Sequence, residues 1–288
     1  MSDAIAPAET GFVFGVSGAE YAQLAARAAQ TLRAVAPDAN IDIYTDAEVP
    51  DGIFDQVHKL EMSWFRPKFE ALRRARFERV VYLDADMYFL ADISDIFEVL
   101  EEFDFAACHN QRRNSDWSNT LWRRPIPAAF PQINGGLMGM RKSPGTLALI
   151  EETERALQDE KLDKDQPVLR ELLFLSKLRL AILPPEYNFV EFRMAEAMNE
   201  NHAAPRVLHH WRLRWHITHG TQQIHNIPGY MGPGLYEHIK RLVANDRNLG
   251  ASKVVKVKPY ADTGVLGGLR FSLERSRRKR WKRKGSSD

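Results

Sequence analysis

The first fifty residues alternate between short apolar segments and an amphipathic segment. Residues 11–16 and 41–45 are continuous apolar or nearly apolar runs, and between them apolar side chains from Tyr21 to Val35 recur three or four positions apart. Short apolar runs are typical of buried strands, whereas the spacing between them predicts a helix, which Pro37 ends. The β-α-β order predicts a parallel sheet with right-handed crossovers.

The same patterns predict the elements further along the chain. Helices are predicted after Pro67 and at 146–158, 165–175 and 235–244, and strands are predicted at 80–83, around Phe105, and at 133–140, 180–183 and 206–209. The aperiodic segment His109–Gln132 is interpreted as a long loop, and loops of that length are usually functional or disordered. We therefore expect an α/β fold with a mostly parallel sheet flanked by helices, in a single domain.

Composition narrows the class of protein. The chain has 288 residues, of which 44% are hydrophobic, so it is long enough to bury a large core. Its apolar runs fall short of a membrane span, and Met1–Glu9 lacks the pattern of a signal peptide. Cys108 is the sole cysteine and lies in an apolar segment, so we interpret it as a core residue rather than a nucleophile. A cytoplasmic protein is expected.

The net charge of +2 hides an uneven distribution. Residues 270–288 contain nine Lys or Arg and two acidic residues, which gives +7 and leaves −5 for the rest of the chain. We expect a folded domain at 1–248 and a basic C-terminal extension at 249–288. The extension is interpreted as a solvated end or as a peripheral contact with the anionic inner face of a membrane. Nucleic-acid binding is a weaker alternative, because the acidic body predicts no broad positive face.

Two aspartates follow the predicted strand at 80–83. Asp84 and Asp86 flank Ala85, and a spacing of two along an extended chain directs both side chains to the same side. Ligands of open α/β sheets bind at the carboxyl ends of strands, and paired carboxylates there favour Mg²⁺ or Mn²⁺. The alternative is a turn with helix-capping aspartates. The apolar strand directly before the pair favours the metal site.

Three further groups are candidate site residues. Asn134-Gly135-Gly136 places glycines inside a predicted strand, which indicates either close approach of a ligand or a β-bulge. Asp165-Gln166 opens a predicted helix, where Asp165 either caps the helix or, with Gln166, binds sugar hydroxyls. His209 follows a predicted strand and is either a packed residue or a ligand for an Mn²⁺-type ion. Motifs for a P-loop, a dinucleotide-binding loop, a nucleophile elbow and a zinc site are absent.

In chain order these features resemble glycosyltransferase family 8, the glycogenin and lipopolysaccharide galactosyltransferase group, over about residues 11–209. The matching positions are Tyr21 on the early helix, Lys68, Asp84-Ala85-Asp86, Asn134-Gly135-Gly136, Asp165-Gln166, Tyr187-Asn188 and Val207-Leu208-His209. The resemblance implies a Rossmann-like GT-A fold. It also implies a hexosyltransferase that retains the anomeric configuration and uses a nucleotide-sugar donor, in this family a UDP-hexose.

The resemblance assigns roles residue by residue. It implies that Asp84, Asp86 and His209 bind Mn²⁺ or Mg²⁺. Tyr21 resembles the residue that stacks near the uracil, and Lys68 and Asp86 resemble contacts of the donor's sugar or ribose. The pocket around the transferred sugar is matched by Asp165 and Gln166, as the catalytic pair, beside Asn134, Gly135 and Gly136.

Two departures from the family pattern concern the donor. The family's Lys-Pro-Trp after its histidine is replaced here, so Arg212 or Arg214 is expected to contact the diphosphate instead. The middle residue of the usual Asn-Ala/Ser-Gly is Gly135. The acceptor is expected to be a glycan, a lipid-linked glycan or a protein side chain. The alternatives are a sugar-1-phosphate nucleotidyltransferase, which usually carries a glycine-rich phosphate loop, and a nucleic-acid-binding module that uses the basic tail.

Overall fold

A computed structural model of the chain describes residues 9–64, 66–116, 118–214 and 227–251. The part of the Trp-rich segment at 215–226 and most of the basic tail lie outside these residues. The boundary expected between 248 and 249 therefore stays a prediction.

The described residues form two compact units. The first consists of 9–191 and 205–214, and the second consists of 192–204 and 227–251. Both sheets and every predicted site residue belong to the first unit.

The first unit is built on a seven-stranded mixed sheet. In spatial order its strands are β3 (Gln56–Lys59), β2 (Ile41–Thr45), β1 (Thr10–Val16), β4 (Arg79–Leu83), β7 (Ile133–Arg141), β6 (Phe105–His109) and β8 (Leu180–Leu183). The first four strands pair in parallel, as do β6 and β8, whereas β7 is antiparallel to both of its neighbours. The strand interiors of β1, β2 and β4 are buried on both faces, which fits their mostly apolar sequences; the buried acid Asp42 in β2 is the exception.

The described residues of this unit contain five α-helices: α1 (Ala19–Val35), α2 (Lys68–Arg74), α3 (Ile96–Glu102), α4 (Pro144–Asp159) and α5 (Asp165–Leu175). The start of α2 lies very close to β1, because a Cβ added at Gly15 would be 2.8 Å from the carbonyl oxygen of Pro67. Glycine at this position therefore allows the first turn of α2, which carries Lys68, to reach the end of the sheet.

The elements predicted from periodicity are confirmed, and the long loop before β7 contains no helix or strand among its described residues. In the first unit, the described strands and α-helices that were not predicted are β3, α3 and a further strand, β5 (Met87–Phe89). The short helix Ile227–Met231 and the 3₁₀ helices were not predicted either. The sequence of β3 is Gln-Val-His-Lys, and its side chains alternate between half-buried and exposed. Edge strands and three-residue strands carry too few buried apolar side chains for a periodic signal.

A second, two-stranded sheet lies beside the main one. β5 pairs antiparallel with β9 (Val207–His209), and the register places Met87 opposite His209. The backbone N–H of His210 continues the pairing, because it donates to the carbonyl of Asp86 at 3.1 Å. This short ladder therefore brings the late strand predicted near residue 209 against the chain directly after β4.

The second unit is helical in its described residues. It contains the 3₁₀ helix Phe192–Ala197 and the helices Ile227–Met231 and Pro233–Asn245, the last of which confirms the predicted helix. The buried ring of His238 donates from Nε2 to the Ala195 carbonyl at 3.1 Å. Among the described residues of the chain, every helix is too short or too polar to cross a bilayer.

Candidate active site

The acidic pair lies where β4 ends. Ala85 and Asp86 form a turn rather than extended chain, so the expectation from strand geometry was wrong about the backbone. The turn nevertheless directs both carboxylates to one place. Tyr82, two residues earlier on β4, donates its hydroxyl to Asp84 Oδ1 at 2.6 Å and so orients that carboxylate.

His209 completes a three-residue cluster with these acids. Its Nε2 lies 3.1 Å from Asp86 Oδ1 and 3.8 Å from Asp84 Oδ2. One ligand atom from each of the three residues lies within 4.8 Å of the others. Two carboxylate oxygens and an imidazole nitrogen at these separations are a donor set suited to Mn²⁺ or Mg²⁺.

The buried atoms of this cluster are electrostatically coupled. Burial alone would raise the pKa of the Asp86 carboxyl, but His209 and Arg214 outweigh it and hold that pKa well below its usual range. Burial alone would lower the pKa of His209, but Asp86 and Asp84 raise it above the ordinary value. Asp86 Oδ2 is buried and accepts no hydrogen bond from the described residues, although Arg214 Nε lies 3.4 Å away. That oxygen is consequently available to a further ligand.

The glycines of β7 make room for this cluster. A Cβ added at Gly136 would lie 2.4 Å from Cε1 of the His209 ring, so a side chain there would displace the imidazole. Asn134 Oδ1 accepts the backbone N–H of Gly136 at 2.9 Å and holds the strand in this shape. The space at Gly136 thus serves close approach of the His209 side chain. The β-bulge interpretation is also supported, because the pairing of β6 with β7 shifts register between Ala107, which lies opposite Met138, and His109, which lies opposite Ile133.

A second cluster surrounds Asp165 at the start of α5. Lys68 Nζ lies 3.0 Å from Asp165 Oδ2 and 3.6 Å from Asp84 Oδ1, and it donates to the Gly135 carbonyl at 3.0 Å. Arg66 Nε lies 3.6 Å from Asp165 Oδ1. Lys68 therefore links Asp84 of the three-residue cluster to Asp165 at the start of α5.

Asp165 does not act as a helix cap. The cap position of α5 is Lys164, and no side chain there bonds the helix terminus. Burial would raise the pKa of Asp165, but Lys68 and Arg66 outweigh it and keep that pKa below its usual value. The Asp165 carboxylate is therefore a buried anion that lines the cavity, which agrees with the alternative to capping, namely contact with sugar hydroxyls.

Two adjoining cavities open onto these clusters. The first, of about 250 Å³, is lined by Tyr21, Trp64, the Gly15–Ser17 loop and the Asp84–Asp86 turn. The second, of about 330 Å³, is lined by residues of β7, α5 and β9 together with Asn110, Arg112 and Trp211. Four residues line both cavities: Arg66, Lys68, Asp84 and Arg214. A ligand that fills both cavities would pass over these side chains.

The structure brings all ten predicted site residues to this pair of cavities. The first cavity is lined by Tyr21, Lys68, Asp84 and Asp86, and the second by Lys68, Asp84, Asn134, Gly135, Gly136, Asp165, Gln166 and His209. Gln166 is less tightly held than its neighbour, since its Oε1 accepts only a 3.4 Å hydrogen bond from Asn110 among the bonds described here.

The two arginines that were alternatives for the diphosphate contact differ in position. Arg214 lines both cavities, whereas Arg212 is exposed and lies over the Trp211 ring at 5.4 Å.

Two residues that line the cavities, Arg66 and Tyr82, were not predicted from the sequence. Tyr82 lies two positions before Asp84, which directly follows β4, and this spacing is a signal that the two side chains lie on the same side. Arg66 has no such signal, because it precedes α2 in an irregular segment.

The strand order, the antiparallel β7 and the acids at the end of β4 define a GT-A fold, the fold of a class of glycosyltransferases that use nucleotide-sugars. The sequence profile described as "Nucleotide-diphospho-sugar transferase" matches residues 26–224. The chain therefore belongs to the nucleotide-diphospho-sugar transferase family and is a glycosyltransferase. This membership favours sugar transfer over the nucleotidyltransferase and nucleic-acid-binding alternatives.

Solved structures of LgtC agree on the fold. The galactosyltransferase LgtC in complex with donor and acceptor sugar analogs is 13% identical, with a TM-score of 0.51, and the match covers 70% of this chain and 87% of that one. An active-site mutant of LgtC gives 14% identity and a TM-score of 0.52 over the same shares. The glycosyltransferase GlyE of Streptococcus pneumoniae TIGR4 is 19% identical over 70% of this chain and 55% of that one, with a TM-score of 0.48. No curated protein sequence matches the chain significantly.

Proposed function

We propose that the protein transfers a hexose from a nucleotide-sugar, a UDP-hexose, to an acceptor hydroxyl with retention of the anomeric configuration. The reaction depends on a divalent cation, Mn²⁺ or Mg²⁺, held by Asp84, Asp86 and His209. The observation that carries this proposal is the cluster of three ligand atoms within 4.8 Å, at the border between two cavities.

The residues of the cluster fit a hard divalent cation. Asp86 Oδ2 is buried without a hydrogen bond from the described residues, and such an atom is costly unless a ligand satisfies it. The two oxygens and one nitrogen leave further coordination positions for phosphate oxygens. When bound, the cation supplies Lewis-acid stabilisation of the charge that grows on the departing nucleoside diphosphate.

The shape of the site supports a nucleotide-sugar that spans both cavities. Its base and ribose occupy the first cavity, beside the Tyr21 ring, and its hexose occupies the second, beside Asp165 and Gln166. The diphosphate lies between them, where Arg66, Lys68 and Arg214 supply positive charge. Arg214 takes the place of the lysine that the family pattern leads us to expect.

Charge at Asp165 supports its catalytic role. The bond from the anomeric carbon to the diphosphate oxygen breaks with its electron pair, so positive charge develops on the hexose. Asp165 is held ionised by Lys68 and Arg66, which lower its pKa, and a fixed carboxylate at this position stabilises that charge without reorganising. The acceptor oxygen forms the new bond from the same face, and the departing phosphate oxygen takes the acceptor's proton.

Ligand-dependent stability tests the donor and the metal together. Thermal unfolding is measured with a panel of nucleotide-sugars, each with and without Mn²⁺. Binding to the folded state raises the midpoint, so we expect the largest rise with a UDP-hexose and Mn²⁺ together. Equal rises without metal, or a preference for another nucleotide, would contradict the corresponding part of the proposal.

Product analysis tests the reaction. We expect UDP and a glycoside whose anomeric configuration, read by proton NMR early in the reaction, equals that of the donor. An inverted product would refute retention alone, whereas release of pyrophosphate from UTP and a sugar phosphate would support the nucleotidyltransferase instead.

The basic tail adds a separate proposal about location. Its nine cations and the interposed Trp281 would attract anionic lipid at the cytoplasmic face. Sedimentation with vesicles rich in phosphatidylserine compares the whole chain with one that ends at 269, and vesicles of neutral lipid serve as the control. Equal sedimentation of the two chains would remove membrane contact from the proposal.

A further inference from the structure

We infer that Asn188 is a positioning residue that sets the proton and the orientation of the His209 ring for metal binding. Its side chain is 1% exposed and ends the 3₁₀ helix Pro185–Asn188. Asn188 Oδ1 lies 2.8 Å from His209 Nδ1. The inference rests on the proposed metal site and adds a residue to which no role has been given above.

The chemistry of the contact determines which nitrogen is free. An amide oxygen only accepts hydrogen bonds, so the ring nitrogen that faces it must carry a proton. With the proton on Nδ1, the neutral ring has its lone pair on Nε2, which is the atom that faces Asp86 and Asp84. A hydrogen bond at the other ring nitrogen is the usual device by which a protein fixes the tautomer of a metal-binding histidine.

The burial of Asn188 is not explained by its own hydrogen bonds. Its Nδ2 is buried and has no hydrogen-bond partner among the described residues. A buried amide with one satisfied end costs stability, and an apolar side chain of similar size would avoid that cost. Retaining an amide here is therefore consistent with a role for its oxygen toward His209.

Gly136 and the backbone also confine the ring. Gly136 leaves no space beyond Cε1 and Nδ1, since an added Cβ would lie 2.4 Å and 2.8 Å from them. The backbone N–H of His209 also donates to the Phe189 carbonyl at 3.0 Å, directly after Asn188. Backbone pairing thus fixes the Cα of His209, Gly136 confines the ring, and Asn188 selects the nitrogen.

The test measures Mn²⁺ affinity by calorimetry on metal-free protein without any donor. We expect Asn188→Leu, which has a similar size and no acceptor, to weaken binding about 10- to 100-fold. Asn188→Asp keeps an acceptor oxygen, so we expect its affinity to stay within about threefold of the wild type or to exceed it. Tyr187→Phe is the matched control, because it alters the same 3₁₀ helix and removes a hydroxyl that bonds Asp95 rather than His209.

Each outcome distinguishes the inference from the proposed function. If the wild type binds Mn²⁺ and Asn188→Leu binds it equally well, the inference is wrong and the metal site stands. If the wild type binds no divalent ion, the proposed metal dependence is wrong, and the inference that rests on it is wrong as well. If Asn188→Leu does not fold, the Asp variant decides: a loss of affinity as large as that of His209→Ala overturns the inference.

Discussion

Two clusters of the first unit, each built around a buried aspartate, share the same three residue types and differ in which of their atoms are left without hydrogen bonds. The Asp42 cluster consists of Asp42, His58 and Arg76, and the Asp86 cluster consists of Asp86, His209 and Arg214. Asp42 is fully buried, and Arg76 binds it through Nε at 2.8 Å and a terminal nitrogen at 3.2 Å. His58 Nε2 lies 3.2 Å from the same carboxylate, and Tyr44 stacks on the imidazole.

The carboxylate of Asp86 is less completely hydrogen-bonded than that of Asp42. Arg214 approaches with a single nitrogen at 3.4 Å, one carboxylate oxygen has no hydrogen bond from the described residues, and a second acid, Asp84, lies beside it. A bidentate arginine satisfies a carboxylate in both geometry and charge, whereas one distant nitrogen does not. The residue types of a cluster therefore do not tell a structural cluster from a ligand-binding site. The difference lies in whether the carboxylate oxygens already have hydrogen-bond partners.

The largest effect is expected at Asp86. Asp86→Asn removes an ionised ligand of the proposed metal site, and metal contributions of several kcal/mol correspond to a fall of about 1,000-fold in turnover. We expect the metal-free variant to unfold at nearly the same temperature as the wild type. Asp51→Asn, which changes an exposed acid on a turn, is the control. Wild-type turnover in Asp86→Asn, or in excess chelator, would remove the metal from the mechanism.

The opposite result is expected at Asp42. Asp42→Asn weakens the charged hydrogen bonds from Arg76, so we expect a loss of about 2 kcal/mol in the free energy of unfolding. Because the cluster does not line either cavity, turnover per folded molecule should stay at the wild-type level. Urea unfolding and an activity assay at low temperature measure the two quantities. A specific loss of turnover without a loss of stability would mean that the comparison between the clusters is wrong.

A smaller effect separates the two arginines after β9. Arg214→Ala should raise the KM for the donor about tenfold, which corresponds to the loss of one charged hydrogen bond of about 1.4 kcal/mol. Arg212→Ala should change it less than about twofold, because surface charges contribute little. Initial rates over a range of donor concentrations give both values. Equal effects of the two substitutions would argue against a diphosphate contact at Arg214.

No effect on turnover is expected from the buried thiol. Burial raises the pKa of Cys108 far above its ordinary value, so the reactive thiolate is scarce in the folded protein. Iodoacetamide should modify Cys108 only in denaturant, as read by mass spectrometry, and Cys108→Ala should retain turnover. Rapid alkylation of the native protein with loss of activity would reopen the nucleophile alternative.

The position of a site residue could be predicted from the sequence where the residue begins or directly follows a clearly patterned strand or helix. Asp84 and Asp86 follow a buried strand, and Asp165 opens a periodic helix, so their positions at the sheet edge could be predicted. The GT-A fold and the family were predicted from the series of motifs, and both are confirmed. The roles of the ten site residues remain predictions, although the structure places all of them together.

Contacts between distant segments gave no local signal. The choice between Arg212 and Arg214 depends on a 3₁₀ turn after β9, and both are arginines on an irregular stretch. Arg66 acts on Asp165 across about 100 positions of sequence, which periodicity does not register. The Asp42 cluster could not be predicted from the sequence either. Its His58 belongs to β3, whose sequence is mostly polar and gave no strand signal.

The pairing of β5 with β9 has a consequence for biosynthesis. The last strand of the seven-stranded sheet ends at Leu183, whereas His209 enters only with the three-residue ladder that follows. A nascent chain that has emerged only to Leu183 thus holds every strand of the seven-stranded sheet and two of the three proposed metal ligands, Asp84 and Asp86. Ribosome-bound intermediates are accordingly expected to acquire their architecture first and their competence to split a nucleotide-sugar afterwards.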